Sequence, residues 1–194
     1  MNPFILIGTG IILYYLSKNQ LGNNRNSGGR VAPDLGTRPI FDIVNQLQQN
    51  PEKVYPTRPM SQISSIIIHH SGTTSGSASS YARTHVERRD WAGISYHYVI
   101  DKDGTINQTQ YIGTRTNHAP NCNNSGIAIC LTGDYEIQQV PKAQLDSCLF
   151  LCHEIQRNLG RRLEVSSHKQ CTSNRTCPGR NMPMDYIRRN SNPF

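Results

Sequence analysis

Ile66-Ile67-Ile68-His69-His70-Ser71 decides the fold, because this stretch predicts a buried strand that ends at two imidazoles. Three consecutive β-branched apolar residues favour a strand that is covered on both faces. In open α/β sheets, ligands bind just beyond the carboxyl ends of such strands. We therefore expect a functional site at the end of this strand. A single histidine there is also compatible with a strand that simply ends in polar residues.

A second group of metal-binding side chains follows about a hundred residues later, between Ser167 and Gly179. This segment contains His168 and Cys177, which are nine positions apart. Together with one histidine at the strand end, they can form a zinc site with two nitrogen ligands, one sulfur ligand and an open fourth position.

The rest of the chain alternates between strand and helix patterns. Apolar runs predict strands over 63–69, 95–100 and 125–131, and the Asp-Gly pair at 103–104 predicts a hairpin turn. Helical spacing predicts helices over 40–49, 78–89 and 141–159, the last ending at Gly160. The order of these elements predicts an α/β fold with a mixed central β-sheet flanked by helices.

The overall charge favours anionic partners. The 194 residues have a net charge of +7, which suits an acidic cell-wall polymer or a membrane surface. The chain has no RNA-binding signature, no paired zinc-finger spacing and no basic helix, so we expect no nucleic-acid partner. The six cysteines are too few and too unevenly spaced for a disulfide scaffold in a chain of this length.

The first forty residues differ in composition from the remainder. Residues 1–17 have no charged side chain and would form roughly 25 Å of helix, so we predict a membrane anchor, with a signal peptide or a docking tail as alternatives. Residues 18–39 are rich in Asn, Gly and Ser, which predicts a flexible linker. The expected localisation is membrane-anchored, in a virion membrane or a bacterial cell envelope. The positive charges that follow residues 1–17 would place the following domain on the inner side of a cell membrane.

Five motifs occur in the same order as in a known protein family. They are Ile67-Ile68-His69-His70-Ser71, Trp91-Ala92-Gly93-Ile94-Ser95-Tyr96-His97, Asn117-His118-Ala119, Asn124-Ser125-Gly126-Ile127, and His168 with Cys177-Pro178-Gly179. In these motifs the chain resembles the zinc-dependent N-acetylmuramoyl-L-alanine amidases, a superfamily that includes phage lysozymes of the amidase type and peptidoglycan recognition proteins. The resemblance covers about residues 58–189, and we place the catalytic domain at 40–194.

The resemblance implies a metal, a substrate and a set of site residues. His69, His168 and Cys177 would bind Zn²⁺, and the substrate would be bacterial peptidoglycan, cut between N-acetylmuramic acid and L-alanine. Tyr96 takes the place of the family's catalytic tyrosine. Arg175 takes the place of a lysine in related phage enzymes, and as a permanent cation it suits an oxyanion better than proton transfer.

Two further positions follow from the same resemblance. His118 would line the substrate groove. Some members have a glutamate in the strand over 127–131, where this chain has Cys130, so the sequence offers no obvious carboxylate base.

Other interpretations stay open at this stage. The domain could bind peptidoglycan without cutting it, although non-catalytic relatives typically lose the cysteine ligand that Cys177 provides here. It could also serve mainly as a structural virion or envelope protein. Cys177 could instead form a disulfide with Cys171, or His168 could be a surface residue.

Overall fold

The fold is described from a computed structural model that covers residues 35–173 and 176–194. The strands in chain order are β1 Ile40–Asp42, β2 Ser65–His70, β3 Tyr98–Ile100, β4 Ile106–Gln108, β5 Gly126–Leu131 and β6 Glu164–Ser167. The α-helices are α1 Ala78–Glu87, α2 Lys142–Leu159, α3 His168–Cys171 and α4 Met184–Asn190, and short 3-10 helices span Val44–Gln46 and Met60–Gln62.

The described strands form one six-stranded sheet in the order β1-β4-β3-β5-β2-β6. Strands β3 and β4 pair antiparallel, as the Asp-Gly turn between them predicts, while the pairs β1–β4, β3–β5, β5–β2 and β2–β6 are parallel. The prediction of a mixed central sheet flanked by helices is confirmed.

Strand β2 lies between β5 and β6 and is buried on both faces. Ile66, Ile67 and Ile68 are each at most 1% exposed. Ile66 and Ile68 belong to the larger apolar cluster, which includes much of α2, whereas Ile67 packs on the opposite face with Ala119 and Cys171. The uninterrupted apolar run therefore reflects burial on two faces.

The two long helices begin and end close to the predicted residues. The side chain of Ser77 accepts a hydrogen bond from the backbone N–H of Ser80 and so caps α1. Helix α2 ends at Gly160, whose φ of 63° is the left-handed conformation that favours glycine at a helix end.

The prediction of a helix over 40–49 is wrong. Residues Ile40–Asp42 form β1, and only Val44–Gln46 is helical, as a single 3-10 turn. Ile40 pairs with Ile106 of β4, so pairing with the sheet overrides the helical spacing of the apolar residues. Residues 1–34, which include the predicted anchor over 1–17 and most of the predicted linker over 18–39, lie outside the described residues.

Candidate metal centre and active site

The end of β2 places two neighbouring histidines on opposite faces of the sheet. Side chains alternate along a strand, so His69 shares the face of Ile67 and His70 shares the face of Ile68. His69 is 1% exposed and faces a group of aromatic and sulfur-containing side chains. His70 instead accepts a hydrogen bond at Nδ1 from the backbone N–H of Tyr135, at 3.1 Å.

His69, His168 and Cys177 form a cluster of metal-binding side chains. One ligand atom from each residue lies within 4.8 Å of the ligand atoms of the other two. The distance from His69 Nδ1 to Cys177 Sγ is 3.8 Å. Two ligands of a tetrahedral zinc ion at typical Zn–N and Zn–S distances are roughly 3.5 Å apart. The donor set and its spacing therefore fit zinc.

The sheet delivers His168 to this cluster through β6. Strand β6 is parallel to β2, so both strands end at the same edge of the sheet, and His168 follows directly as the first residue of α3. The imidazole rings of His69 and His168 have centroids 4.7 Å apart.

Cys177 is fixed to the same edge by backbone contacts. Strand β6 ends at Ser167, opposite Ile68, so the next part of β2 has no strand partner on that side. The backbone N–H of His70 points to Cys177 Sγ at 3.4 Å, and the carbonyl of Cys177 accepts from the N–H of Lys169 at 3.0 Å. An N–H donor aimed at sulfur stabilises a thiolate, which is the form that binds a metal.

Burial sets the protonation state of His69. The pKa of His69 lies well below its ordinary value, first because the ring is buried and second because it is surrounded by other imidazoles, His118 and His168 foremost. The ring is therefore neutral at physiological pH, as a metal ligand must be.

Tyr96 lies beside the cluster, with its ring centroid 5.4 Å from that of His69. Burial, followed by the nearby Cys130 and Cys177 thiols, raises the pKa of Tyr96 well above its ordinary value. The phenol thus keeps its proton and acts as a hydrogen-bond donor. Position 130 in β5 is a cysteine and offers no carboxylate. Cys130 is fully buried, and burial raises the pKa of its thiol.

His118 is buried behind His69, with only 5% of its surface exposed. Its Nδ1 lies 3.1 Å from His69 Nε2, and the two rings meet edge to face at 85°. The structure thus brings His118 to the cluster, but in contact with a candidate ligand and away from solvent. Arg175 lies outside the described residues, so its predicted role stays a prediction.

A buried arginine beneath the cluster was not anticipated from the sequence. Arg58 is 6% exposed and donates hydrogen bonds to the carbonyls of Ile112 and Asn123. Its guanidinium lies 3.2 Å from the His97 ring, and burial followed by this charge lowers the pKa of His97 to about 3. An isolated arginine between Thr57 and Pro59 has no sequence pattern that reveals such burial.

The cysteines pair differently from the alternative raised on sequence grounds. Cys122 and Cys171 form a disulfide, with a Cα–Cα distance of 5.7 Å. A bond between Cys171 and Cys177 is therefore absent, and Cys177 contributes its sulfur to the cluster with His69. The disulfide joins the segment that contains His118 to the helix that begins at His168.

The comparisons with known proteins identify the family of this chain. A family profile described as N-acetylmuramoyl-L-alanine amidase matches residues 59–180. The chain belongs to this family. The match includes the whole cluster, together with Tyr96 and His118. No curated protein sequence matches the chain.

Solved structures share the amidase fold at low sequence identity. N-acetylmuramoyl-L-alanine amidase LysC from Clostridium intestinale is 24% identical with a TM-score of 0.66, and the match covers 78% of this chain and 95% of that one. Drosophila PGRP-LB is 22% identical with a TM-score of 0.65, covering 78% and 93%. Bumblebee PGRP-SA is 19% identical with a TM-score of 0.68, covering 78% and 94%.

The predicted membrane-anchored localisation is wrong, because the structures that the chain matches include an endolysin amidase, LysCS from Clostridium intestinale. As a separate finding, no helix within residues 35–173 and 176–194 has both the length and the apolar character needed to cross a bilayer. The segment over 1–17, on which the expectation relied, lies outside the described residues.

Proposed function

We propose that this amidase is zinc-dependent and hydrolyses the amide bond between N-acetylmuramic acid and L-alanine in peptidoglycan. The observation behind the proposal is the cluster of His69, His168 and Cys177, whose ligand atoms lie within 4.8 Å of one another. Two imidazoles and one thiolate leave an open coordination position, which is typical of catalytic zinc sites.

The residues of the cluster would hold the metal in a defined protonation state. A zinc ion held there supplies Lewis-acid polarisation of a carbonyl oxygen and activation of water at neutral pH. His69 is kept neutral by burial, and the backbone N–H of His70 supports a thiolate at Cys177. No proton has to be removed from His69 before it binds the metal.

Tyr96 would act on the substrate beside the metal. Its phenol keeps its proton, because burial and neighbouring thiols raise its pKa. A protonated phenol near the cluster can donate a hydrogen bond to the oxygen on which negative charge develops when the amide carbonyl is attacked. Arg175, two residues before Cys177, is proposed to add positive charge to the same oxygen. Cys130 replaces the carboxylate found in some relatives, so this strand provides no carboxylate to the reaction.

The comparisons support peptidoglycan as the partner. The matched family acts on N-acetylmuramoyl-L-alanine, and one matched structure, peptidoglycan recognition protein-LE, is in complex with a monomeric diaminopimelic acid-type peptidoglycan. The match to an endolysin amidase supports a role in phage lysis or as a virion-associated enzyme. The positive net charge of +7 suits an acidic wall polymer.

The experiment is a digestion of purified peptidoglycan by the full zinc-loaded chain. We expect newly exposed amino groups of N-terminal alanine and no rise in reducing sugars, because an amide bond is cut and the glycan is left intact. Cys177→Ser is the matched control and should expose no new alanine amino groups. A zinc-loaded chain that co-sediments with peptidoglycan and exposes no new amino group would contradict the proposal and indicate a binding module.

A further inference from the structure

His118 contacts the candidate ligand His69 from the side opposite the metal cluster. The Nδ1 atom of His118 lies 3.1 Å from Nε2 of His69, while Nδ1 of His69 faces Cys177 Sγ at 3.8 Å. The two nitrogens of the His69 ring thus have different partners. One faces the metal-binding cluster and the other faces an imidazole that is 5% exposed.

This arrangement determines which tautomers are compatible with a metal. If Nδ1 of His69 gives its lone pair to the metal, its proton is on Nε2 and is donated to Nδ1 of His118. His118 then has its own proton on Nε2. Metal-bound histidines almost always donate their second N–H to an acceptor, which fixes the tautomer and the orientation of the ring. The acceptor here is an imidazole nitrogen rather than the usual carboxylate or carbonyl.

The surroundings of His118 restrict the movement of its ring. A Cβ atom at Gly126 would lie 3.1 Å from Cε1 of His118 and 2.7 Å from Cγ1 of Ile67, so the ring packs closely against the start of β5. Four residues after His118, Cys122 is joined to Cys171 at the end of α3. The acceptor is therefore attached both to the sheet and to the helix that begins at His168.

We propose that His118 is a positioning residue that fixes the tautomer and orientation of His69 for the metal. The inference rests on the proposed zinc-dependent function, and it replaces direct contact with the substrate as the role of this histidine. It explains why the imidazole is buried against His69 rather than exposed in a groove.

A pair of variants with similar shape tests the hydrogen bond itself. His118→Asn keeps an acceptor, because its amide oxygen can occupy the position of Nδ1, whereas His118→Leu has nearly the same shape and no acceptor. Zinc affinity is measured by competition with a chelator at fixed pH. We expect His118→Leu to weaken zinc binding by about 10- to 100-fold, which is the usual effect of losing such a partner, and His118→Asn to recover most of that loss.

A buried histidine elsewhere in the fold provides the control. His153 in α2 is 2% exposed and its Nε2 bonds to the carbonyl of Asn190 at 2.8 Å. His153→Leu removes a comparable buried hydrogen bond and should leave zinc affinity unchanged, even where it lowers the melting temperature. A loss of zinc affinity of equal size in His153→Leu would overturn the proposal, because general destabilisation would explain the effect.

The outcomes separate this inference from the proposed function. If the unaltered chain binds zinc and His118→Leu binds it equally well while KM rises, His118 contacts substrate and only this inference fails. If the unaltered chain binds no zinc, the proposed function fails and the inference fails with it.

A spectroscopic measurement on the unaltered protein keeps the proposal testable if His118→Leu does not fold. Nitrogen-15 NMR of histidine-labelled, zinc-loaded protein should show His69 protonated on Nε2. A proton on Nδ1 of His69 would overturn the proposal.

Discussion

His69 and His70 are adjacent in the chain and have the same side chain, yet the two faces of the sheet give them different surroundings. His69 faces two other imidazoles and the sulfur of Cys177. His70 accepts from the backbone N–H of Tyr135 and lies 3.8 Å from the carboxylate of Asp134. His69 therefore contacts metal-binding side chains, whereas His70 provides a hydrogen-bond acceptor for the loop that contains Tyr135.

The difference shows that strand alternation, and not residue type, separates the two roles. On the His69 face, β6, α3 and the segment before β5 all bring polar or sulfur-containing side chains to the end of β2. On the His70 face, the larger apolar cluster fills the space up to α2. Burial lowers the pKa of both rings, so both are neutral, and their partners alone distinguish them.

The largest effect is expected from removing a ligand on the His69 face. His168→Ala leaves two ligands, which is fewer than a catalytic zinc site contains. The exposure of new alanine amino groups in peptidoglycan should fall to the level of a reaction without enzyme. Activity within tenfold of the unaltered chain, in a preparation shown to contain zinc, would remove His168 from the site.

The disulfide lies on the His69 face, where Cys122 and Cys171 pack with Ile67. Cys122 and Cys171 are 49 positions apart, and a crosslink over such a loop contributes about 4 kcal/mol to the free energy of unfolding. Denaturant unfolding of Cys122→Ser/Cys171→Ser should show a loss of this order. A thiol reductant should destabilise the unaltered chain to the same extent and leave the double variant unchanged. Equal stability of the two proteins without reductant would show that the disulfide does not form in solution.

Tyr96→Phe removes one hydrogen-bond donor beside the metal cluster and keeps the aromatic ring. We expect turnover to fall by roughly 10²- to 10³-fold, as for the loss of one oxyanion donor, with zinc content unchanged. Steady-state kinetics and metal analysis of the same preparation provide the measurement. Unchanged turnover would remove Tyr96 from the reaction, and loss of zinc would make it a support for the metal site.

The smallest effect is expected on the other face. His70→Ala leaves the buried N–H of Tyr135 without its acceptor, which costs about 1–3 kcal/mol of stability. Zinc content and the rate at which alanine amino groups are exposed should stay close to those of the unaltered chain. Loss of zinc in His70→Ala would contradict the assignment of metal binding to the His69 face alone.

Part of the fold and of the site could be predicted from the sequence, because the apolar patterns of β2 and α2 are strong. The run from Ile66 to Ile68 fixed the strand, and its alternation placed only one of the two histidines on the face of the cluster. Helix α2 was predictable because its apolar stripe is long and Gly160 ends it. The resemblance to the amidases assigned His168 and Cys177, which spacing alone could only suggest.

Other parts depend on pairing between distant residues, which spacing does not reveal. Cys122 and Cys171 belong to a set of six cysteines whose connectivity has no sequence signature. Strand β1 exists because β4 pairs with Ile40, although the residues around it have helical spacing. The burial of His118 against His69 depends on the missing side chain of Gly126, a contact visible only in three dimensions.

The proposed function depends on the binding of one zinc ion by His69, His168 and Cys177 together. Zinc content measured by mass spectrometry on the purified full chain, side by side with His69→Ala, Cys177→Ser and His70→Ala, tests it most directly. We expect about one zinc per chain in the unaltered protein and in His70→Ala, and almost none in His69→Ala and Cys177→Ser. Full zinc content in Cys177→Ser, or loss of zinc in His70→Ala with retention in His69→Ala, would contradict it.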